Sequence, residues 1–345
     1  MSVDARSIWG GSPPCARTVD RRGFLASATA VGAFALAAPT WARGPASYPP
    51  PDRELMAAVP GGRVYVRING RLDGPNPPLV AIHGGPGSSH AAFLSLLALA
   101  DDRALILYDQ LDSGLSDRPG NPANWTVKRF TDEVEAVRAA VGVPRWHVLG
   151  HSWGGTIALE YGARRPTALA GLVVASPLIS TKSWIADANQ LRKQLPRDVQ
   201  AVLKSCDPPA PITPACDKAT KIFYANFLTR RPRPDGYAAY VAAHPALGLN
   251  ARLYETMWGS SEFVSTGTLR NYDGELLLAR LDGARTLFID GQYDEARPAT
   301  LGAFAARVAG ADFAVVPGAG HGFMMDSPEE AIGILRPWLR RQDAA

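Results

Sequence analysis

A chain of 345 residues, 46% hydrophobic and 20% charged, can build a sizeable core, which excludes a wholly disordered chain, a collagen or a disulfide miniprotein. Its 36 basic and 32 acidic residues leave a formal charge of +4, too balanced to mark a nucleic-acid binder. No apolar span of 18 residues interrupts the body of the chain, so a polytopic membrane protein is also excluded.

Residues 1–42 read as an export leader. Arg21-Arg22-Gly23-Phe24-Leu25 precede an uncharged, alanine-rich run to Ala38, then Thr40-Trp41-Ala42 with small residues at its first and third positions. The paired arginines resemble a twin-arginine signal and predict an exported protein, periplasmic or secreted. A membrane anchor is the alternative, disfavoured because the run is short, rich in Ala and Gly, and broken by Pro39. Cleavage after Ala42 removes Cys15 and leaves Cys206 and Cys216 around a proline-rich loop. In an oxidising compartment that pair can close a bridge worth roughly 3 kcal/mol; two free thiols are the alternative.

Beyond a linker holding Pro45, Pro49, Pro50 and Pro51, short apolar runs occur at 64–68, 79–82, 104–108, 147–149, 172–175, 286–289 and 313–316. Helical spacing separates several of them. Phe130, Val134, Val137 and Val141 recur every three or four residues, with Thr131-Asp132-Glu133 expected to bring negative charge to the helix start. Further helices are expected over 153–165, 298–308 and 328–339. This alternation predicts an α/β fold with a mostly parallel sheet covered by helices on both faces. The rhythm fails over 178–282, which is rich in proline and aromatics, and predicts a mainly helical cap inserted between two core segments, 43–177 and 283–345.

Three loops carry the chemistry. Gly150-His151-Ser152-Trp153-Gly154 follows one apolar strand and opens a helix, the strand–turn–helix context of a nucleophile elbow. Serine needs a base, and His321, in Gly318-Ala319-Gly320-His321-Gly322 after the last strand, has the required position. The other five histidines fall in turns, in a core strand or outside any motif. Asp294, in Gly291-Gln292-Tyr293-Asp294, is the carboxylate expected to orient His321; Asp290 is its rival, but at the strand's end a turn-capping role suffices for it. The order Ser152, Asp294, His321 is that of α/β-hydrolases. His83-Gly84-Gly85-Pro86-Gly87, directly after a strand, can aim the Gly85 N–H at a developing oxyanion, with the Trp153 N–H as second donor. No clustered ligand spacing calls for a metal, and no cofactor is expected.

These motifs, together with Asp109-Gln110, Ser113-Gly114-Leu115-Ser116-Asp117 and Glu295, resemble the proline iminopeptidase (prolyl aminopeptidase) family of serine peptidases. The match runs from about residue 62 to 175 and from 254 to 321, and is thin over much of the cap. The resemblance implies an α/β-hydrolase fold. It also implies two acidic residues that receive the substrate's ammonium group: Glu295, directly after the catalytic aspartate, and Glu262 in Ser261-Glu262-Phe263 of the cap. Glu295 as a helix-start acid, Glu262 as a solvated residue and Glu255 as a competitor are the ordinary readings. The chain departs from the family at Leu111-Asp112, where many members carry Arg-Gly. Trp258, Tyr254, Phe227 and Phe263 are candidates for the wall of a side-chain pocket, or for core packing.

The expected activity is release of an N-terminal residue, preferably proline, from short peptides or amides through an acyl-enzyme. An amidase, esterase or lactonase with the same machinery is the nearest rival. A non-catalytic binding protein on the same scaffold is the more distant one. The expected partner is a small peptide or amide, with no nucleic acid and no stable membrane anchor after leader cleavage; oligomeric state is not specified by sequence.

Overall fold

The computed structural model of the protein describes residues 47–344. The expected leader lies outside them. Eight strands form one sheet: β1 (Arg53–Val59), β2 (Gly62–Asn69), β3 (Leu79–Ile82), β4 (Leu105–Tyr108), β5 (Trp146–His151), β6 (Leu169–Ala175), β7 (Thr286–Gly291) and β8 (Asp312–Val316), in the order β1-β2-β4-β3-β5-β6-β7-β8. β2 pairs antiparallel with β1 and β4, and every pairing from β4 to β8 is parallel.

The central strands are apolar without alternation because both faces are covered. Val80, Ile82, Ile106, Tyr108, Val148 and Val174 enter one core cluster. Their neighbours Leu79, Ala81, Leu105, Leu107, Leu149 and Val173 enter another, as the two-residue period of a strand requires. β1 was not expected from sequence. It is an edge strand whose Arg53 and Glu54 are exposed and whose Ala57 and Val59 are buried. The prolines before it are not a free linker, since the Pro49 and Pro50 carbonyls accept from Arg67 and Asn69.

The helices are α1 (Val127–Val141), α2 (Trp153–Ala163), α3 (Thr181–Arg192), α4 (Arg197–Ser205), α5 (Pro214–Phe227), α6 (Asp235–Ala243), α7 (Ala251–Met257), α8 (Pro298–Ala305), α9 (Phe323–Asp326) and α10 (Pro328–Asp343). α1 buries Phe130, Val134, Val137 and Val141, the residues its spacing singled out. Its start differs from expectation. The first turn holds no acid, and the Thr126 hydroxyl caps it by accepting the Arg129 N–H at 3.2 Å. Glu133 lies further along, buried, and accepts from Arg129 and from the Leu111 N–H. Among the described residues, no helix is long and apolar enough to cross a membrane.

Helices α3–α7 all fall between β6 and β7. α3, α4 and α5 share an apolar cluster of their own, including Leu191, Leu195, Val199, Leu203, Phe223, Phe227 and Phe263. A disulfide between Cys206 and Cys216 ties the end of α4 to the first turn of α5. Closing a loop of this length restricts the unfolded chain by roughly 3 kcal/mol. Replacing both cysteines by serine is therefore expected to lower the unfolding free energy in urea by about that amount; an unchanged midpoint contradicts the bridge.

Candidate active site

The site gathers at the carboxyl ends of the parallel strands, where loops leave the sheet. After β5 the chain turns so sharply that Ser152 takes φ 59° and ψ −121°, a conformation disfavoured for a residue with a side chain. A Cβ on Gly150 would lie 2.0 Å from the Gly154 carbonyl oxygen, so a glycine there lets strand and helix approach closely. Ser152 then sits at the N-terminus of α2, whose dipole favours nearby negative charge.

His321 and Asp294 are brought together. His321 Nδ1 donates to Asp294 Oδ1 at 2.8 Å, and both residues are buried. The other bonds to Asp294 are the Ala296 N–H on Oδ1 (2.8 Å) and, on Oδ2, the Ser176 hydroxyl (2.5 Å) and Gly291 N–H (3.3 Å). Burial by itself would raise the Asp294 pKa, but the His321 charge and these donors hold it below the usual carboxylate range. Ser176, which follows β6, was not singled out in the sequence because a lone serine after a strand carries no pattern.

Asp290 was expected to cap a turn, and the structure corrects this. It is fully buried and neither carboxylate oxygen has a hydrogen-bond partner. Burial, with the Asp294 charge beside it, pushes its pKa up to about 9, so Asp290 is neutral at pH 7 while Asp294 is ionised.

Ser152 lines a small cavity of about 40 Å³ with Gly85, Pro86, Trp153, Leu178, Trp184, Tyr254, Trp258, Glu262 and Leu269. That is room for a few ordered waters. Trp184 links this cavity to His321, for its ring lies edge-on 5.6 Å from the His321 ring. His151, adjacent to the serine, has its ring 4.6 Å from that of His321 and its Nε2–H donates to the His321 carbonyl at 2.8 Å. Burial and the His321 charge press the His151 pKa down to about 3, so it stays neutral. The Ser152 hydroxyl makes no hydrogen bond among the described residues.

Both expected oxyanion donors, Gly85 and Trp153, line the Ser152 cavity. Gly85 has φ +107°, and a Cβ there would meet the Gly87 and Ser88 nitrogens at 2.7 and 2.8 Å. Gln110 joins the two donor segments. Its Nε2 donates to the His83 carbonyl at 2.8 Å, its Oε1 accepts from Trp153 Nε1 at 2.9 Å, and its backbone N–H donates to His83 Nε2 at 3.0 Å. The Asp109-Gln110 pair was visible in the sequence, but this bridging role was not.

Glu295 and Glu262 are both buried and neither is an ordinary surface acid. Glu295 Oε1 lies 3.8 Å from His321 Nε2, and its Oε2 has no hydrogen-bond partner. Burial, reinforced by the charges of Glu262 and Asp294, raises its pKa to about 8 despite the opposing effect of His321. Glu262 Oε1 accepts from the Tyr224 and Tyr254 hydroxyls at 2.6 and 2.9 Å. Glu255 is exposed. Of the four candidate wall aromatics, Tyr254 and Trp258 line the cavity, whereas Phe227 and Phe263 pack in the α3–α5 core. Trp184, Leu178 and Leu269 complete the wall without having been foreseen. The departure at Asp112 adds no exposed acid. That side chain is buried, accepting from Trp125 Nε1 at 2.8 Å and the Gly120 N–H at 2.7 Å.

Residues 77–328 match the α/β hydrolase fold family, and the protein is an α/β-hydrolase. Within that fold the chain belongs to the proline iminopeptidase family of serine aminopeptidases. It is 34% identical to the proline iminopeptidase of Heyndrickxia coagulans over 285 residues, covering 81% of this chain and 96% of that one. It is 32% identical to the proline iminopeptidase of Levilactobacillus brevis, covering 81% and 94%. Among solved structures, proline iminopeptidase of Mycobacterium smegmatis aligns with TM-score 0.74 and 32% identity over 85% of this chain and 99% of its own. A protein named VinJ aligns with TM-score 0.76 and 32% identity over 85% and 100%.

The two carboxylates at the end of β7 and in the loop after it can be told apart. Asp294→Asn, which disturbs the tautomer and orientation of His321, is expected to lower kcat by about 10⁴-fold. Asp290→Asn, replacing a neutral acid by a neutral amide, is expected to leave kcat within about tenfold. Steady-state kinetics on the two variants checks this, and the reverse ranking overturns the assignment.

Proposed function

We propose that the protein releases an N-terminal residue, preferably proline, from short peptides or amides through an acyl-enzyme. The observation that carries this reading is a buried carboxylate, Glu262, lining the same small cavity as Ser152. Its Oε1 accepts from the Tyr224 and Tyr254 hydroxyls, neutral donors that leave the negative charge to be met by a cation. A substrate's terminal ammonium is such a cation, and Glu295 adds a second negative group when ionised. Leu178, Trp184, Trp258 and Leu269 offer apolar walls suited to a compact ring.

In this reading Ser152 Oγ attacks the carbonyl carbon while His321 Nε2 takes its proton. Gly85 and Trp153 N–H groups stabilise the oxyanion. His321 then gives the proton to the leaving amine, the C–N bond breaks, and the prolyl group remains on Ser152. Water, deprotonated by His321, hydrolyses that ester. Asp294 holds the imidazole and stabilises its cationic form. Export is part of the proposal, supported by the Arg21-Arg22 leader pattern and by a disulfide of the kind that persists in oxidising compartments.

Proline p-nitroanilide, its N-acetyl form and a p-nitrophenyl ester of a simple acid test the reading. Wild type is expected to cleave the free-amine substrate and to reject the acetylated one. Glu262→Gln is expected to raise KM for the prolyl substrate by about 10- to 100-fold, the cost of a lost charged hydrogen bond, with little change on the ester. Ser152→Ala is expected to lose about 10⁶-fold in kcat. Equal rates on free and acetylated proline, or ester turnover with no prolyl cleavage, contradict the proposal in favour of an esterase.

A further inference from the structure

We infer that Asn250, the residue that opens α7, positions the oxyanion turn, so that the cap takes part in stabilising the transition state. This rests on the oxyanion role of the Gly85 N–H in the reaction proposed above, and needs nothing of the amine-binding glutamates.

The turn after β3 does little to fix its own N–H groups. Gly85 and Gly87 take φ of +107° and +92°, and neither has a side chain to restrict those angles. Inside the turn the Ser88 N–H reaches the Gly84 carbonyl at 3.4 Å, a long bond. The direction of the Gly85 N–H is therefore set from outside. On the strand side, Gln110 Nε2 holds the His83 carbonyl at 2.8 Å. On the far side the partners come from the cap. The Asn250 N–H donates to the Gly87 carbonyl at 2.9 Å, and the Ser89 hydroxyl donates to the Leu247 carbonyl at 3.0 Å. A Cβ on Gly87 would lie 3.0 Å from the Asn250 carbonyl oxygen, so the two backbones touch there.

The Asn250 side chain fixes the backbone that holds the turn. Its Oδ1 accepts the Leu253 N–H at 3.2 Å and caps α7, while its Nδ2 donates to the Asp112 carbonyl at 2.8 Å. One partner is an N–H and the other a carbonyl, so the amide fits in a single orientation. Asp112 is itself fixed, since its carboxylate accepts from Trp125 Nε1 and the Gly120 N–H. Asn250 thus clamps the start of α7 between the oxyanion turn and a tied-down loop of the core. The same helix carries Tyr254 to the Ser152 cavity, and the Tyr254 N–H donates to the Asn250 carbonyl at 3.0 Å. A donor held in place before the reaction favours the oxyanion, which exists only beyond the ground state. Loosening the turn therefore lowers kcat and leaves KM where it was.

The test compares Asn250→Ser with Asn250→Ala. Serine keeps an oxygen that caps α7 and loses the amide that reaches Asp112, whereas alanine loses both. Both variants are expected to lose about tenfold in kcat on proline p-nitroanilide and on a p-nitrophenyl ester, with KM within about twofold of wild type. Phenylboronic acid, whose serine adduct places a tetrahedral oxygen in the oxyanion site, is expected to bind both about tenfold more weakly. The urea midpoint is expected to fall for alanine and to stay near wild type for serine. A kcat loss confined to the alanine variant, in step with its stability, overturns the inference. Unchanged boronate affinity also overturns it, as does a KM rise confined to the prolyl substrate, which places the effect at Tyr254 instead. A wild type that turns over neither substrate and binds no boronate overturns the inference and the proposed reaction together.

Discussion

The Asp294–His321 hydrogen bond is the contact on which the site depends. It joins two loops that leave neighbouring strands, β7 and β8, at one end of the sheet, and both residues are buried. Burial makes the local charges strong. Asp294 stays ionised because Ser176, Ala296 and Gly291 donate to it and the imidazole faces it. Asp290, four residues away and equally buried, has no donors and is neutral. Two aspartates, one at the end of β7 and one in the loop after it, thus take opposite charge states because only one of them has partners.

The segment between β6 and β7 does more than cover this pair. It supplies Trp184, Tyr254, Trp258, Glu262 and Leu269 to the serine cavity. It also holds the loop that carries His321: the His321 N–H donates to the Phe227 carbonyl at 2.8 Å and the Gly322 N–H to the Leu228 carbonyl at 2.7 Å. Asp326 strengthens the same seam, accepting the Gly320 N–H from the histidine loop and the Arg230 and Arg231 N–H groups from beyond α5. Phe227 ends the helix that the disulfide anchors at its start, and its side chain packs in the apolar core of α3–α5. The cavity beside Ser152 and the loop that carries His321 are therefore held by the same polypeptide contacts.

Much of this was legible in the sequence because its signals are local. The strands are short apolar runs, and the elbow and the oxyanion turn demand glycines whose spacing is set by backbone sterics. The chain order Ser152, Asp294, His321 is the one expected of the α/β-hydrolase fold. What sequence could not show depends on distant neighbours. Asp290 looked like a turn cap because nothing in its local pattern tells that its surroundings offer no donor. Ser176, Gln110 and Trp184 act through residues between 27 and 137 positions away, so no motif marks them. The edge strand β1 was hidden by exposed charges that an edge position tolerates. The acids of α1 were read as helix-start residues because the true cap, Thr126, lies one turn earlier than the apolar repeat implied.

The proton-passing line from Ser152 through His321 to Asp294 is the central claim, and covalent labelling tests it most directly. A fluorophosphonate, which reacts with serines activated by a neighbouring base, is incubated with the protein and the modified residue is located by mass spectrometry of peptides. The account predicts one label per chain, on Ser152, and labelling slowed severely in His321→Ala although the protein remains folded. A label on another residue, or labelling of Ser152 at an unchanged rate without His321, contradicts it.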